Sequence, residues 1–305
     1  MATGAGAGAP VGCPCCLGPR AEAFRFGLVR CLECGLAYDA VAIERSRVTS
    51  LQEEWFVAPG APRSAWVRAF ERRSNGRTVN RLRPYVKPRA RVLDVGVGSG
   101  SLLAALRAAG FEAQGCDAVP AMAAAAAQAT GLPVHAGALE TMDAPGSFDA
   151  VILNHVLEHT DGPIALLTAA KRVMSPGGIV HIAVPNVASW EAHLSGWTSY
   201  EPYHLLYFTP TTLRRVADRA GLNVVHAETR EPFSGWFLAL LRTAMQTPSG
   251  SRTSPAPGGG PRRNWAVENA YRAAMVGVGG ALTPVRRFQA WMGAGEEAVV
   301  IARQG

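Results

Sequence analysis

From Arg89 to the end of the chain, short runs of β-branched and aliphatic residues alternate with longer helix-forming runs. Few folds accommodate such an alternation. Strands that recur after a helical crossover pair in parallel, and a parallel sheet is covered by helices on both faces. The pattern predicts strands at 91–95, 112–116, 133–136, 148–153, 178–184, 223–229 and 297–302. The expected fold class is therefore α/β, a seven-stranded, doubly wound, Rossmann-like sheet. The alanine-rich "AMAAAAAQA" is a helix by propensity and carries no chemistry. At 305 residues the chain has room for this domain and a smaller unit ahead of it.

The first strand ends in "VLDVGVGSG", where Asp94 is followed by Gly96, Gly98 and Gly100. A dinucleotide fingerprint needs a further glycine three residues after Gly98, and Ser101 stands there instead. The second strand closes with Asp117 in "GCD", a carboxylate placed where doubly wound folds accept ribose hydroxyls. "HAGALE" follows the third strand, and "FDAVILNHVLEH" is a buried fourth strand running into Asn154. Together with "PGGIVHIAVPN", these stations resemble the class I S-adenosylmethionine-dependent methyltransferases over 89–232 and again in the final strand. The resemblance implies a cofactor site of Asp94, Gly96, Gly98, Gly100 and Asp117, with Ala138 and Leu139 against the adenine and Asn154 at the end of the fourth strand. It also implies displacement of the sulfonium methyl by an acceptor, for which alignment and proton removal are the protein's main contributions.

"NHVLEH" sets His155, Glu158 and His159 in H-x-x-E-H order, which on a helix would share one face. The same order marks inverted zinc peptidases, but those need it within a long helix with a further ligand downstream. Here it stands at the carboxyl end of a sheet strand, where doubly wound folds bind ligands. The segment resembles ubiquinone-pathway O-methyltransferases, which carry E-x-x-E-H at this place and use it for a divalent metal. His155 replaces the first acid, which leaves two readings: a divalent metal at His155, Glu158 and His159, or side chains that orient the loop. Further on, "YHLLYFT" resembles the region of zinc-domain-bearing sugar C-methyltransferases in which "HEH" precedes "YF", and lays His204 on their catalytic histidine. The candidate catalytic groups are thus His204, His155 and His159. A histidine base has an ordinary pKa of about 6.5. Trp190, Trp197, Tyr200 and Tyr203 either wall an apolar acceptor pocket or pack a lid.

Ahead of the sheet, Cys13-x-x-Cys16 and Cys31-x-x-Cys34 form two knuckles with 14 residues between them. Four thiolates so spaced suit a tetrahedral, structural Zn2+ in a zinc-ribbon-like segment, 13–40, and leave no open position for catalysis. Residues 1–12 read as a tail, 41–88 as a basic helical linker, and 89–305 as the methyltransferase domain with a helical insertion at 233–295 that covers the substrate face or mediates dimerisation. The tail lacks a signal peptide's basic start and apolar core, so the expected location is cytoplasmic. No run is long and apolar enough for a spanning helix.

The formal charge of +7 lies in the first 90 residues, with 14 Lys/Arg against 7 Asp/Glu. From Arg63 to Arg91 the basic residues interleave with apolar ones at near-helical spacing, which reads as a helix with a solvated arginine face. The same run suits phosphates, and so the leading reading, methyl transfer to a small-molecule or glycan-like acceptor, has an RNA methyltransferase with a zinc knuckle as its alternative. "NHVL" is not the N-P-P-[FYW] of exocyclic amino methylation, which leaves ring nitrogen, oxygen and carbon targets open. A third reading is a non-catalytic binding module that keeps the zinc segment and the cofactor fold.

Overall fold

The computed structural model describes residues 12–46, 65–201, 203–231, 235–245 and 281–304. The expected tail, apart from Gly12, and most of the expected insertion lie outside these residues. The chain opens with three short antiparallel strands, β1 (Ala21–Ala23), β2 (Val29–Cys31) and β3 (Ala37–Tyr38), then α1 (Ala40–Ser46) and α2 (Ala65–Leu82). The main domain follows as β4 (Arg91–Val95), α3 (Ser101–Ala108), β5 (Glu112–Asp117), α4 (Pro120–Thr130), β6 (Val134–Ala136), β7 (Phe148–Asn154), α5 (Pro163–Val173) and β8 (Met174–Pro185). It continues through β9 (Leu206–Tyr207), α6 (Pro210–Arg219), β10 (Leu222–Arg230), α7 (Gly235–Met245), α8 (Thr283–Trp291) and β11 (Glu297–Gln304).

Seven strands form one sheet in the order β10-β11-β8-β7-β4-β5-β6. All seven expected strands are present, with β8 longer than its apolar run because it continues back through Gly177 and Gly178 to Met174. β11 alone runs antiparallel to its neighbours β8 and β10. The sheet is doubly wound. On one face, Val92, Ile152, Ile179 and Ile301 pack with Val79 and Leu82 of α2 and Leu102, Leu103 and Leu106 of α3. On the other, Leu93, Val151, Val180 and Val300 pack with Leu166 and Leu167 of α5 and Leu213 and Val216 of α6.

The cysteine segment shares that second core. Its Cys13, Cys31, Leu36 and Tyr38 are buried in the same cluster as Leu205, Leu206, Phe208 and Leu213. The join is a sheet join too: β9, from the main domain, pairs with β3 and completes a second sheet in the order β1-β2-β3-β9. α6 fixes the contact from the next turn. Its start is a reciprocal cap in which Thr212 N donates to Thr209 Oγ1 (3.1 Å) and Thr209 N donates to Thr212 Oγ1 (2.8 Å), with Pro210 at the first helical position. From that anchored helix, Arg215 donates to the Cys34 carbonyl at 2.8 Å.

The basic helix α2 differs from its expectation. Arg72 and Arg73 are exposed, but Arg77 is half-buried and Arg81 reaches across to the sheet, its Nε donating to Glu228 Oε1 at 2.6 Å. The reason lies in the sheet register. Asn154 is paired with Ala183, Ala183 with Val299, Val299 with Glu228, and Glu297 with Arg230. Strand side chains alternate between faces, so Asn154, His181, Glu228, Arg230 and Glu297 all stand on the face that α2 covers. Toward the carboxyl ends of the strands that face is polar, and the helix turns arginines toward it.

Candidate active site at the carboxyl ends of the sheet

The turn after β4 carries three glycines in the left-handed region, with φ of +71° at Gly96, +49° at Gly98 and +74° at Gly100. A Cβ at Gly96 would lie 2.7 Å from Val156 Cγ2, and one at Gly100 2.8 Å from Thr130 Cγ2. At Gly98 nothing approaches closer than 4.0 Å, so there the backbone faces open space. Asp117, at the end of β5, accepts from Val119 N (2.9 Å) through Oδ1 and from Gly98 N (3.4 Å) through Oδ2. Burial raises its pKa, and these two N–H groups work against that rise. Each carboxylate oxygen keeps lone-pair capacity for a ligand hydroxyl.

A cleft of about 620 Å3 opens over this turn, lined by Gly96, Gly98, Asp117, Ala138 and Leu139 and also by His155, His159 and Tyr203. Three expected cofactor residues stand apart from that lining, Gly100 at the start of α3, Asp94 and Asn154. Asp94 is buried beneath the turn, and burial together with the neighbouring Asp117 carboxylate pushes its pKa up to about 8. Asn154 points toward α2, its Nδ2 donating to Thr78 Oγ1 at 3.4 Å.

The H-x-x-E-H segment does not form a single helical face. β7 stops at Asn154, His155 adopts φ +54°, and only a single 3-10 turn, Leu157–His159, follows. The left-handed residue rotates His155 away from His159. Its Nδ1 meets Glu158 Oε1 at 3.2 Å and its Nε2 meets Glu297 Oε1 at 3.1 Å. With both ring nitrogens donating to carboxylates, His155 is an imidazolium with no lone pair for a metal. Burial opposes that charge, but Glu158 and Glu297 outweigh it and raise the pKa well above 6.5. Glu297, held by His155 and by Arg230 Nη1 at 2.8 Å, has its pKa drawn down to about 2 in spite of burial.

His204 takes the place that His155 vacates. Glu158, His159 and His204 bring one ligand atom each to within 4.8 Å of one another. His159 Nδ1 donates to the Tyr203 carbonyl (3.1 Å) and His204 Nδ1 to the Ser199 carbonyl (2.8 Å). A carbonyl only accepts, so each ring carries a proton on Nδ1. Burial pushes the His204 pKa down to about 4, despite the attraction of Glu158. Glu158 Oε2 is buried and has no hydrogen-bond partner among the described residues.

Of the expected aromatic wall, only Tyr203 lines the cleft. Trp197 is buried with Leu28, Val187 and Tyr207, and stacks edge-on with Tyr200 at 4.9 Å, so these two rings pack the small sheet against the domain. The cysteines meet as their spacing predicts. Cys13, Cys16, Cys31 and Cys34 bring their sulfurs within 4.8 Å of one another, and Cys15 stays outside the group. Gly35, at φ +79°, provides the turn after the second knuckle. Sequence reasoning misses Glu297 and Arg230, whose only signal is a charged residue at the end of an apolar strand.

The methyltransferase domain family matches residues 67–227. A ubiquinone biosynthesis O-methyltransferase of Idiomarina loihiensis is 29% identical over 167 residues, covering 49% of this chain and 69% of that protein. One from Xanthomonas campestris pv. campestris is 33% identical over 106 residues, covering 32% of this chain and 44% of that protein. A crystal structure of a candidate sarcosine dimethylglycine methyltransferase from Galdieria sulphuraria superposes with a TM-score of 0.50 at 14% identity, over 76% of this chain and 86% of that one, which bears on the fold alone. With its glycine turn, its Asp117 and a family match over more than half of its length, the chain belongs to the methyltransferase domain family and is a class I S-adenosylmethionine-dependent methyltransferase.

Proposed function

We propose that the protein methylates a small-molecule or glycan-like acceptor in a biosynthetic pathway, in the cytoplasm, at an oxygen, nitrogen or carbon atom. The observation that carries this reading is a single cleft with a glycine turn and Asp117 on one side and His155, His159 and Tyr203 on the other. S-adenosylmethionine, which supplies the activated methyl, fits the first side: the open backbone at Gly98 admits a ligand against the turn, and Asp117 has the acceptor capacity for ribose hydroxyls. Ala138 and Leu139 flank the adenine in this reading, and Met122 and Leu166 add apolar lining. No helix among the described residues is long and apolar enough to cross a membrane.

The second side suits a proton-accepting and acceptor-orienting role. His204 is kept neutral by burial with its Nε2 free, His159 is oriented by its Nδ1 bond to the Tyr203 carbonyl, and the buried Glu158 oxygen lies beside them without a donor. That donor set also fits a divalent ion, in a grouping that contains His204 in place of His155. When bound, such an ion supplies Lewis acidity toward an acceptor oxygen. Without one, the acceptor proton goes to the histidine pair, of which His159 lines the cleft and His204 packs against it at 4.7 Å. The four cysteines fit a structural Zn2+, since tetrahedral Zn–S bonds of about 2.3 Å set sulfurs about 3.8 Å apart, and the two closest pairs stand at 3.4 and 3.5 Å.

A screen of acceptors with methyl-labelled cofactor tests the reading directly. Label transfer to a small molecule, lost in His204→Ala, is the expected result. Transfer to RNA alone would move the protein to the alternative class, and cofactor binding without transfer to any acceptor would leave a binding module.

A further inference from the structure

The polar sheet face beneath α2 holds more positive charge than its own carboxylates use. Arg81 spends its Nε and Nη2 on Glu228, and its Nη1 is buried with no hydrogen-bond partner among the described residues. Arg230, 9% exposed, gives Nη1 to Glu297 and leaves Nη2 buried in the same condition. Both ring nitrogens of His181 are buried on that face and unpartnered as well. Arg77 lies one helical turn before Arg81, half-buried, with no ion pair to a carboxylate among the described residues. The charges that bear on it are those of Arg230, Arg73, Arg286 and Arg81, and with burial they lower its pKa. Burying guanidinium N–H groups without acceptors is costly, and natural proteins keep such groups where something else supplies the acceptor.

The position of this cluster says what that acceptor belongs to. Glu297 joins Arg230 on one oxygen to His155 on the other, and His155 lines the cleft. Thr78, next to Arg77, meets Asn154 at the end of the strand that leads into His155. The arginines therefore stand behind His155, outside the lining of the cleft. Guanidinium forks match carboxylate and phosphate oxygens in a way that an ammonium does not.

We propose that Arg77, Arg81 and Arg230 form an oxyanion subsite that takes the carboxylate or phosphate group of the methyl acceptor. The inference rests on the reading of the cleft as a methyltransferase site with a small acceptor. It assigns that acceptor to a chemical class, anionic at neutral pH, and explains why α2 turns two arginines inward. Neutral acceptors of the same size leave the guanidinium groups unpaired and are expected to be poor substrates.

Calorimetric titration of the full chain, loaded with S-adenosylhomocysteine, by inorganic phosphate and separately by benzoate tests the subsite and tells the two oxyanion sources apart. Saturable binding of at least one probe is expected, weakened about tenfold or more in Arg77→Gln and unchanged in the exposed control Arg72→Gln. Because Arg77 makes no ion pair among the described residues, its replacement is not expected to unfold the helix, and S-adenosylhomocysteine affinity serves as the check that it has not. Binding of neither probe, or equal binding by parent and Arg77→Gln, overturns the subsite. Binding of RNA with no binding of either probe also overturns it and assigns the charge to nucleic acid. If S-adenosylhomocysteine fails to bind while a probe binds in the Arg77-dependent way, the subsite stands and the methyltransferase reading of the cleft falls. If S-adenosylhomocysteine binds and the probes do not, the reverse holds.

Discussion

The two sides of the cleft are built by different means. The proposed cofactor side is made of local pieces: a glycine turn after β4, a carboxylate at the end of β5 and a 3-10 turn after β6. Every part of it lies within a few residues of a strand end, in the order of the chain. The proposed acceptor side takes side chains from the turn after β7, from β10, β11 and α2 and from the 199–204 loop, brought together by sheet register and by the docking of the cysteine segment. A site made of local turns is rigid once its strands form. One made of distant side chains depends on everything that holds those segments in place, so damage to the two sides should be separable.

The largest effect should come from the cysteine cluster. Asp39 N donates to the Leu205 carbonyl (2.9 Å), and Leu205 N donates to the Glu158 carbonyl (2.8 Å), so the segment is two hydrogen bonds from the acceptor side. Cys31→Ser should release the metal, about one zinc per chain in the parent, and cost several kcal/mol of stability. Below its lowered melting point the variant should still bind S-adenosylhomocysteine within about threefold of the parent while its turnover collapses, since the turn after β4 is carried by β4 and its parallel neighbours, whereas the cysteine segment joins the domain at β9. Metal analysis, calorimetric melting and product binding together check this. A metal-free parent in which 13–40 resists protease would show that the cluster holds the segment without an ion.

Next in size is His204→Ala, for which turnover should fall about 100-fold to 10,000-fold with S-adenosylhomocysteine affinity unchanged. Single-turnover kinetics beside calorimetry separates the two quantities. An equal loss in both would mean that His204 shapes the cleft as a whole, and the division into two sides would fail there.

The same division explains what can be read from the sequence. Asp94, the three glycines and Asp117 identify the fold because each answers a local requirement, a left-handed turn or an acid at a strand end, that residue type alone can satisfy. The paired C-x-x-C knuckles are legible for the same reason. His204 is reached only through resemblance, and its partnership with Glu158 and His159 depends on a loop whose path no periodicity encodes. The H-x-x-E-H order alone does not show where His155 goes: a helix would join it to His159, whereas here His155 has a positive φ and its ring meets Glu297, 142 residues away in sequence. The arginines of α2 read as a solvated face because the polarity of the opposing sheet face emerges only from the register of three strands.

On the cofactor side, Asp117→Ala should weaken S-adenosylmethionine and S-adenosylhomocysteine alike, by about tenfold to 100-fold, as the ribose hydroxyls lose a charged acceptor. The loss should appear in binding and leave the rate of the bound complex nearly intact, the opposite of His204→Ala. Unchanged affinity measured by calorimetry would remove Asp117 from the cofactor site and with it the sharpest contrast between the two sides.

At Asp94 the effect falls on stability and not on cofactor affinity, and its sign distinguishes a structural carboxyl from a ligand-binding one. Asp94 is 3% exposed, and burial beside Asp117 pushes its pKa up to about 8 from an ordinary value of 3.8. An acid whose folded pKa stands above its unfolded value holds more protons when folded, so stability falls as pH rises between the two values. The folded protein therefore loses stability from about pH 4 to about pH 8 through this group, with a slope of at most roughly 1.4 kcal/mol per pH unit. Asp94→Asn keeps the shape of the protonated acid and cannot ionise. In the cofactor-free protein its melting point should match the parent near pH 4 and exceed it by a margin that grows toward pH 8, while S-adenosylhomocysteine binds as before. A variant less stable than the parent at pH 8 would mean that the ionised carboxylate is held by donors in the turn, and Asp94 would then belong with Asp117 among the groups that shape the cofactor side.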